Sequence, residues 1–143
     1  MEQATTVRQG GAAIAGKGYW NNNGGPGPRI MAADTLEGND VKNLQNDNVG
    51  EIEHIMLDVP TGRIAYAVMA VGGFLGIGEK LFAVPWSALT LDTTDKCFRL
   101  DVTKERLKDA PGFDKDHWPT MADEIWARNV HKYYNARAYW DEF

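Results

Sequence analysis

The stretch from residue 51 to residue 71, EIEHIMLDVPTGRIAYAVMAV, constrains the fold more than any other part of the chain. Two runs of roughly alternating apolar residues flank the turn sequence PTGR at residues 60–63. Proline presets φ early in a turn, and glycine tolerates positive φ at a later position. The stretch therefore predicts two strands joined by a turn. Its imperfect alternation is typical of strands that are buried over part of both faces.

Further short strands lie close together in the sequence. Pro85 cannot donate a hydrogen bond to a strand ladder, so it marks an edge strand or the end of a strand. Because closing a small sheet removes its exposed edges, the pattern predicts a mainly β fold, a small closed antiparallel β-barrel with C-terminal helices. The further predicted strands are near residues 35–41 and at residues 81–86, 89–92 and 97–102.

The C-terminal part of the chain is predicted to be helical. Thr103 is a suitable N-cap for the run KERLKDA, and Thr120 is one for the run MADEIWARNVHKYY. Acidic residues in the first turn of the second run suit the helix dipole. That run carries one apolar stripe, as an amphipathic helix does. The stripe consists of Trp126, Val130, Tyr133 and Tyr134.

The last nine residues, 135–143, form a tail rich in aromatic side chains. Aromatic residues are enriched at protein interfaces, so Tyr139 and Trp140 are candidate partner-binding residues. By default we expect this tail to cover the apolar surface of the barrel. The alternative is that it joins a second subunit, and the predicted partner is then another copy of the chain in a homodimer.

Composition divides the chain into three parts. Residues 1–33 are predicted to be a flexible leader rich in Gly and Asn, because they contain too little apolar surface to offset the entropy of ordering. Within this leader, Tyr19 and Trp20 either dock on the body or are exposed. Residues 34–102 are the predicted β domain, and residues 103–143 are a helical extension with the aromatic tail.

Charge and cysteine content exclude several classes of partner. The net charge is −5 and the acidic residues are concentrated after residue 33, so the body repels phosphate backbones and anionic lipids. We therefore expect no nucleic-acid partner. The single cysteine, Cys97, can form neither an internal disulfide nor a Cys-rich zinc site. No apolar run is long enough for a membrane span, and no signal peptide is evident, so we expect a cytoplasmic protein.

The glycine-rich stretch from residue 72 to residue 80, GGFLGIGEK, resembles a phosphate-binding loop only superficially. Glu79 separates the last glycine from Lys80, and the hydroxyl residue of a P-loop is missing. The stretch is better interpreted as a connection between strands. Its apolar side chains either fold back on the barrel or form a protein-contact site. These candidate partner-binding residues are Phe74, Leu75 and Ile77.

No pattern in the sequence identifies catalytic, cofactor-binding or metal-binding residues. The segment from Asp114 to His117 contains possible ligands, but a solvated turn before Trp118 is the simpler interpretation. His54 in a strand is better explained as a structural or exposed side chain than as a general base. We therefore predict no catalytic residue, no cofactor and no metal site, and do not expect an enzyme.

Three segments together resemble the PRC-barrel family, namely LEGNDVKN, VGEIEHIMLDVPTGRIAYAVMAVGG and KLFAVPWSALTLD. The resemblance covers about residues 34–140 and depends on strand pattern, spaced glycines and the tripeptide Val84-Pro85-Trp86. The family includes the cytoplasmic barrel of the photosynthetic reaction-centre H subunit and the C-terminal domain of a ribosome-maturation factor. Free-standing bacterial members, which this chain resembles most, are commonly linked to stress responses.

The resemblance implies a small β-barrel that acts as a protein-interaction and assembly module rather than as an enzyme. It also implies two alternatives. One is a soluble adaptor of a membrane-bound electron-transfer complex, by analogy with the H subunit. The less favoured one is a ribosome- or RNA-associated factor, which the acidic body disfavours.

Overall fold

The computed structural model describes residues 5–7, 10–16, 29–72 and 79–140. These residues contain eight strands, three α-helices and a 3-10 turn at Trp86–Ala88. The strands are β1 (Thr5–Val7), β2 (Ala13–Gly16), β3 (Asp40–Lys42), β4 (Asn48–Asp58), β5 (Arg63–Val71), β6 (Lys80–Pro85), β7 (Leu89–Asp92) and β8 (Cys97–Leu100). The helices are α1 (Ala33–Leu36), α2 (Lys104–Lys108) and α3 (Glu124–Tyr133).

The predicted hairpin at the centre of the chain is confirmed. Strands β4 and β5 pair antiparallel, with Asp58 opposite Arg63 next to the turn. The register shifts between Ile52 and His54 and again before Leu57. Such irregularities increase the bend and twist of a strand, so this long hairpin curves around the core.

The sheet curls around one main core. Its strands follow the order β1-β2-β7-β8-β3-β4-β5-β6. The rings of Trp86, after β6, and Phe98, in β8, have centroids 5.7 Å apart although three strands separate β6 from β8 in the sheet. The core also contains buried residues from β3 to β8, among them Val41, Ile52 and Met69. The mainly β class that the sequence predicted is therefore confirmed.

Two details of the predicted barrel differ from the structure. Among the described residues no hydrogen-bonded ladder joins β1 to β6, so a closed barrel is not confirmed. The sheet is also mixed rather than antiparallel throughout, because β2 pairs parallel with β7, and β3 pairs parallel with β8. The strand patterns indicate antiparallel neighbours only where a short turn joins consecutive strands, whereas these partners are distant in sequence.

Part of the leader belongs to the sheet. Strand β2 extends the ladder through β7, and the Ala13 side chain is fully buried. The Thr93 amide also donates to the Ala15 carbonyl at 2.9 Å. Residues 13–16 thus differ from the expectation that the leader has no structure of its own. Composition alone does not reveal strand β2, because it counts only the small apolar surface of the leader. Small residues such as alanine nevertheless suit a position where strands approach closely.

The C-terminal helices have one N-cap as predicted and one that is different. The Thr103 side chain accepts a hydrogen bond from the Arg106 amide, which confirms Thr103 as the N-cap of α2. Helix α3 begins three residues later than predicted, because Asp123 rather than Thr120 caps it by accepting from the Trp126 amide. We find no helix in the described part of the chain that is long and apolar enough to span a membrane.

Helix α3 covers the outer face of β5 and β6. Tyr66 and Ala83 of these strands and Val130 of the helix are buried in a second, smaller core. Strand β5 is therefore buried on both faces, which explains the imperfect alternation in its sequence. The outer edge of β6 is partly paired as well, since Leu81 and Phe113 exchange two backbone hydrogen bonds of 2.8 Å. The β4–β5 turn lies next to the tail, since Tyr139 contacts Asp58 beside it.

Candidate protein-interaction site

The turn between β4 and β5 presents two apolar side chains to solvent. Leu57 is 61% exposed and Val59 is 85% exposed. They flank Asp58, and the uncharged turn 60–62 follows. We call residues 57–62 the hairpin tip. Exposed aliphatic groups that lie together, rather than singly, are typical of contact sites for other proteins.

A groove lies beside the hairpin tip. It consists of two adjoining cavities, of about 480 and 320 Å³, which share Ile64 and Trp86 as lining residues. Leu57 of the tip pairs directly with Ile64 across the strands, so both side chains project from the same face of the hairpin. The tip and the groove therefore form one continuous surface.

Residues distant in sequence build the walls of this groove. The leader contributes Gly10 and Gly11, and a Cβ atom at Gly11 would lie 3.4 Å from the Trp86 indole. The second cavity is lined by aliphatic residues of β2 and α1, including Ile14 and Leu36. Position 11 therefore lies in contact with the indole, which joins the leader to the groove wall.

The tail closes one end of the groove. The Tyr139 hydroxyl donates a 2.7 Å hydrogen bond to the Asp58 carboxylate, and the Arg63 guanidinium donates to the Tyr139 carbonyl at 2.9 Å. Farther up the tail, the Ser87 hydroxyl donates to the Arg137 carbonyl at 3.0 Å. Asp58 and Arg63 beside the β4–β5 turn, and Ser87 in the 3-10 turn, thus fix the position of the tail.

Aromatic contacts continue from Tyr139 towards helix α3. The Tyr66 ring contacts the rings of Trp126, His131 and Tyr139, with centroids 5.3 to 6.0 Å apart. Trp140 packs edge-on against His131 at 5.3 Å. The tail therefore covers an apolar surface of its own chain, in agreement with the default interpretation of the sequence.

The electrostatics of this contact keep the tail in place near neutral pH. The hydrogen bond from Tyr139 holds the pKa of the Asp58 carboxyl below its usual range. Burial, together with the same hydrogen bond, raises the pKa of Tyr139 to about 12. Because the folded-state pKa of Asp58 is depressed, its stabilising contribution is present above its unfolded-state pKa. This contribution is lost as the pH falls through the folded-state value.

Two arginines line the groove, and a carboxylate lies beside one of them. Arg29 and Arg63 are the charged side chains among the described residues that line the two cavities. The Asp58 carboxylate accepts its hydrogen bond from Tyr139 of the lining, and the charge of Arg63 helps to lower the pKa of Asp58.

The predicted site residues fall into two groups. Tyr139 and Trp140 lie together at the groove and beside α3, as described above. Phe74, Leu75 and Ile77 lie outside the described residues, so their role stays a prediction.

Sequence reasoning missed four residues of the surface, namely Leu57, Val59, Ile64 and Trp86. The sequence pattern that could have indicated these residues was weak. The apolar alternation of β4 continues up to the turn, where a buried strand would already give way to polar residues. Trp86 was considered only as part of the tripeptide Val84-Pro85-Trp86, which supports the family resemblance. Its position opposite the leader depends on the parallel β2–β7 pairing, which local patterns do not reveal.

The structure shows the surroundings of the side chains that were considered as candidates for catalysis or metal binding. The His117 ring lies 2.7 Å from the Asp114 carboxylate on an exposed turn. In the described part of the chain, we find no cluster of three His, Cys, Asp or Glu side chains arranged to hold a metal ion. Cys97 is buried, and burial raises the pKa of its thiol. This environment favours the protonated thiol, which is a poor nucleophile.

A comparison with protein families gives one match, to the family model described as PRC-barrel domain, over residues 28–107. The match covers more than half of the 143 residues. It begins shortly before α1 and ends in α2, so it includes β3 to β8. A comparison with curated proteins gives no significant match.

Proposed function

Since this chain belongs to the PRC-barrel domain family, we propose that it is a non-catalytic module for protein interaction and assembly. The observation that carries this proposal is the surface formed by the hairpin tip and the groove. It combines solvent-exposed Leu57 and Val59 with an adjoining cavity walled by Ile64 and Trp86. Protein interfaces bury central apolar groups of this kind within a more polar rim.

The polar groups around this surface support the same function. Asp58, Arg63 and Tyr139 form a rim in which each partner is already oriented by a hydrogen bond. A surface whose polar groups are held in place loses little conformational entropy when a partner binds. The rim therefore adds specificity to the apolar contact without a large ordering cost.

The proposal is tested by making the hairpin tip acidic. We expect the double variant Leu57→Asp/Val59→Asp to lose its cellular partners, because charges at the centre of an apolar contact would be buried without a counter-charge. Tagged wild-type and variant chains are crosslinked in the native cell. The proteins retained, including untagged copies of the same chain, are then quantified by mass spectrometry.

The matched control is Leu44→Asp. Leu44 is 62% exposed, close to the 61% of Leu57, but it lies in the β3–β4 loop at the opposite end of the long strand β4. This variant should retain the wild-type set of partners. An unchanged set for the tip variant, with its fold verified by circular dichroism, would overturn the proposal.

A cytoplasmic location is part of the proposal, because the single cysteine suits a reducing compartment. The association with stress, and the alternatives of an electron-transfer adaptor and of an RNA-associated factor, stay predictions from the sequence resemblance. No contact described above favours one of these over the general interaction module.

A further inference from the structure

We propose that the edge of strand β7, together with the turn at Thr93 and Thr94, is a binding site for an extended peptide. Residues 13–16 of the leader are the ligand that this site holds within the chain. An outside segment of the same chemistry binds there when the leader strand is displaced, in the strand-addition mode by which sheet edges bind peptides. The site lies at the edge of β7 rather than at the hairpin tip, so it goes beyond the proposed function and does not rest on it.

The backbone of β7 and its turn holds the leader strand in one register. Strand β2 pairs parallel with β7, and residues 13–15 lie opposite residues 90–92. Beyond this ladder, the Thr93 amide donates to the Ala15 carbonyl at 2.9 Å, and the Thr93 hydroxyl donates to the same oxygen at 3.2 Å. Because the acceptor is a main-chain carbonyl, these bonds supply affinity for an extended segment whatever its side chains are.

Side-chain space along the bound strand supplies the specificity. The Ala13 side chain is fully buried, so a larger one would have to push its neighbours aside. At Gly16, φ is +125°, and a Cβ atom would lie 2.4 Å from the Thr93 hydroxyl and 2.9 Å from the Thr94 backbone nitrogen. Ile14, between them, is half-buried and lines the second cavity of the groove. The site therefore selects a small residue, then an aliphatic one, with a glycine two positions farther on.

The sheet and the main core continue without the leader strand. From β7 the ladder runs unbroken through β8, β3, β4 and β5 to β6. The buried residues of the main core in the described part of the chain lie between Leu36 and Ala110. The family match begins at residue 28, after β2. The leader strand is thus added to the edge of the domain, as a bound peptide would be.

The attachment of the leader strand suits exchange. Its ladder with β7 is short, and the side chain of Ala13, which it buries completely, is a single methyl group. The two cavities of the groove, of about 480 and 320 Å³, lie along residues 10–14, between the leader and the Trp86 indole. Segments that bury so little apolar surface open locally at a lower free energy than the core does.

The test separates the site from its internal ligand in the full-length chain. In the variant Ala13→Asp, a carboxylate at a fully buried position displaces the leader strand, while β7 and its turn keep every residue. The probe is a fluorescent peptide with the sequence of residues 5–17, TTVRQGGAAIAGK. The variant should bind this probe at least about tenfold more tightly than the wild type, in which the tethered leader competes at a high effective concentration. Fluorescence anisotropy measures the binding.

Two further peptides test how the probe is recognised. A probe that carries Gly16→Ala should bind at least about tenfold more weakly, because alanine is strained at this φ and its methyl group meets Thr93 and Thr94. A probe with a photoreactive residue in place of Ile14 should crosslink within residues 89–92, since Ile14 lies opposite Leu91. Equal binding of the glycine and alanine probes, or a crosslink elsewhere, would overturn the proposed site.

Hydrogen exchange of residues 89–92 reports whether the leader strand has left β7. Faster exchange in Ala13→Asp without a gain in probe binding overturns the proposal, and unchanged exchange shows that the leader is not the occupant of this edge. If Ala13→Asp does not fold, Gly16→Ala in the chain replaces it, because the clash at that position also displaces the strand.

Failure at this site can be distinguished from failure of the proposed function. The tip variant Leu57→Asp/Val59→Asp leaves β2, β7 and the turn at Thr93 unchanged, so adding it to Ala13→Asp should not alter the affinity for the probe. The probe therefore reports on the edge of β7 alone, whereas the crosslinking comparison above reports on the hairpin tip.

Discussion

Three tyrosines show how the surroundings of a hydroxyl group decide its contribution to stability. The hydroxyls of Tyr66 and Tyr134 are buried and have no hydrogen-bond partner among the described residues. Burial raises the pKa of both groups above the usual range. Tyr139, in contrast, donates its hydrogen bond to Asp58 at the edge of the groove. An unpartnered buried hydroxyl destabilises the fold, whereas a bonded one stabilises it.

We expect the substitutions Tyr66→Phe and Tyr134→Phe to raise the free energy of unfolding by about 1 kcal/mol each. Each change removes the unpartnered hydroxyl and keeps the ring contacts that fill the core. Urea denaturation at neutral pH, followed by circular dichroism, measures the effect. Lower stability in both variants would contradict this prediction.

The control for these variants is Tyr139→Phe, which should have the opposite sign. It removes the hydroxyl that Asp58 accepts, so the urea midpoint should fall at neutral pH. The difference from the wild type should shrink as the pH falls through the depressed pKa of Asp58, because protonation then weakens the same contact in the wild type. A difference that does not depend on pH would exclude Asp58 as the partner.

At the residue level, the sequence predicts burial better than it predicts hydrogen bonding. Tyr66 falls in a predicted strand, and the aromatic tail is predicted to cover the barrel. Whether the Tyr66 hydroxyl finds an acceptor depends on the exact path of residues 135–140 over the strand. That path is set by contacts to Asp58, Arg63 and Ser87, which come from two separate parts of the chain.

At the level of elements, the start of helix α3 illustrates how two suitable N-caps compete. Thr120 and Asp123 are both residues that favour this position. In the structure, the Thr120 carbonyl accepts from the Asp123 amide at 3.1 Å, which forms a turn before the helix. Asp123 then caps α3 from an extended backbone conformation. The sequence does not discriminate between the two residues, because each has suitable neighbours for a first turn.

The two candidates differ in the effect expected of their removal. Asp123→Ala should lower the free energy of unfolding by about 1 kcal/mol, because the amides of the first turn lose their acceptor. Thr120→Ala should change it by less than about 0.5 kcal/mol, as is usual for surface positions. Thermal and urea unfolding of both variants measure this contrast. Equal losses, or a larger loss for Thr120, would mean that the helix begins earlier in solution.

At the level of the whole molecule, the parallel strand pairs are what the sequence could not predict. Local alternation identifies β4 to β8 individually, and the turns identify the hairpins between consecutive strands. The pairing of β2 with β7 joins residues 13–15, which precede the family match, to residues 90–92 within it, and no local pattern encodes it. The groove was missed for the same reason, since its walls come from the leader, the hairpin, the 3-10 turn and the tail.

Gly16, at the end of β2, tests whether this docked strand shapes the whole interaction surface. Its φ is +125°, and a Cβ atom there would lie 2.4 Å from the Thr93 hydroxyl and 2.9 Å from the Thr94 backbone nitrogen. We expect Gly16→Ala to destabilise the docked strand by about 1–3 kcal/mol, because alanine is strained at this φ and the nearby Thr94 backbone cannot shift without a cost in free energy. Hydrogen exchange of residues 89–92 should accelerate.

The same variant should also retain less of the crosslinked partners, because β2 forms part of the groove wall through Ile14. Gly72→Ala is the control, since a Cβ atom there meets no atom of the described residues within 4 Å and its backbone is not left-handed. A Gly16→Ala chain with faster exchange but an unchanged set of crosslinked partners would show that these partners do not contact the wall built by β2. Unchanged exchange would instead contradict the parallel pairing itself. The leader strand thus connects the topology of the sheet to the surface on which the proposed function depends.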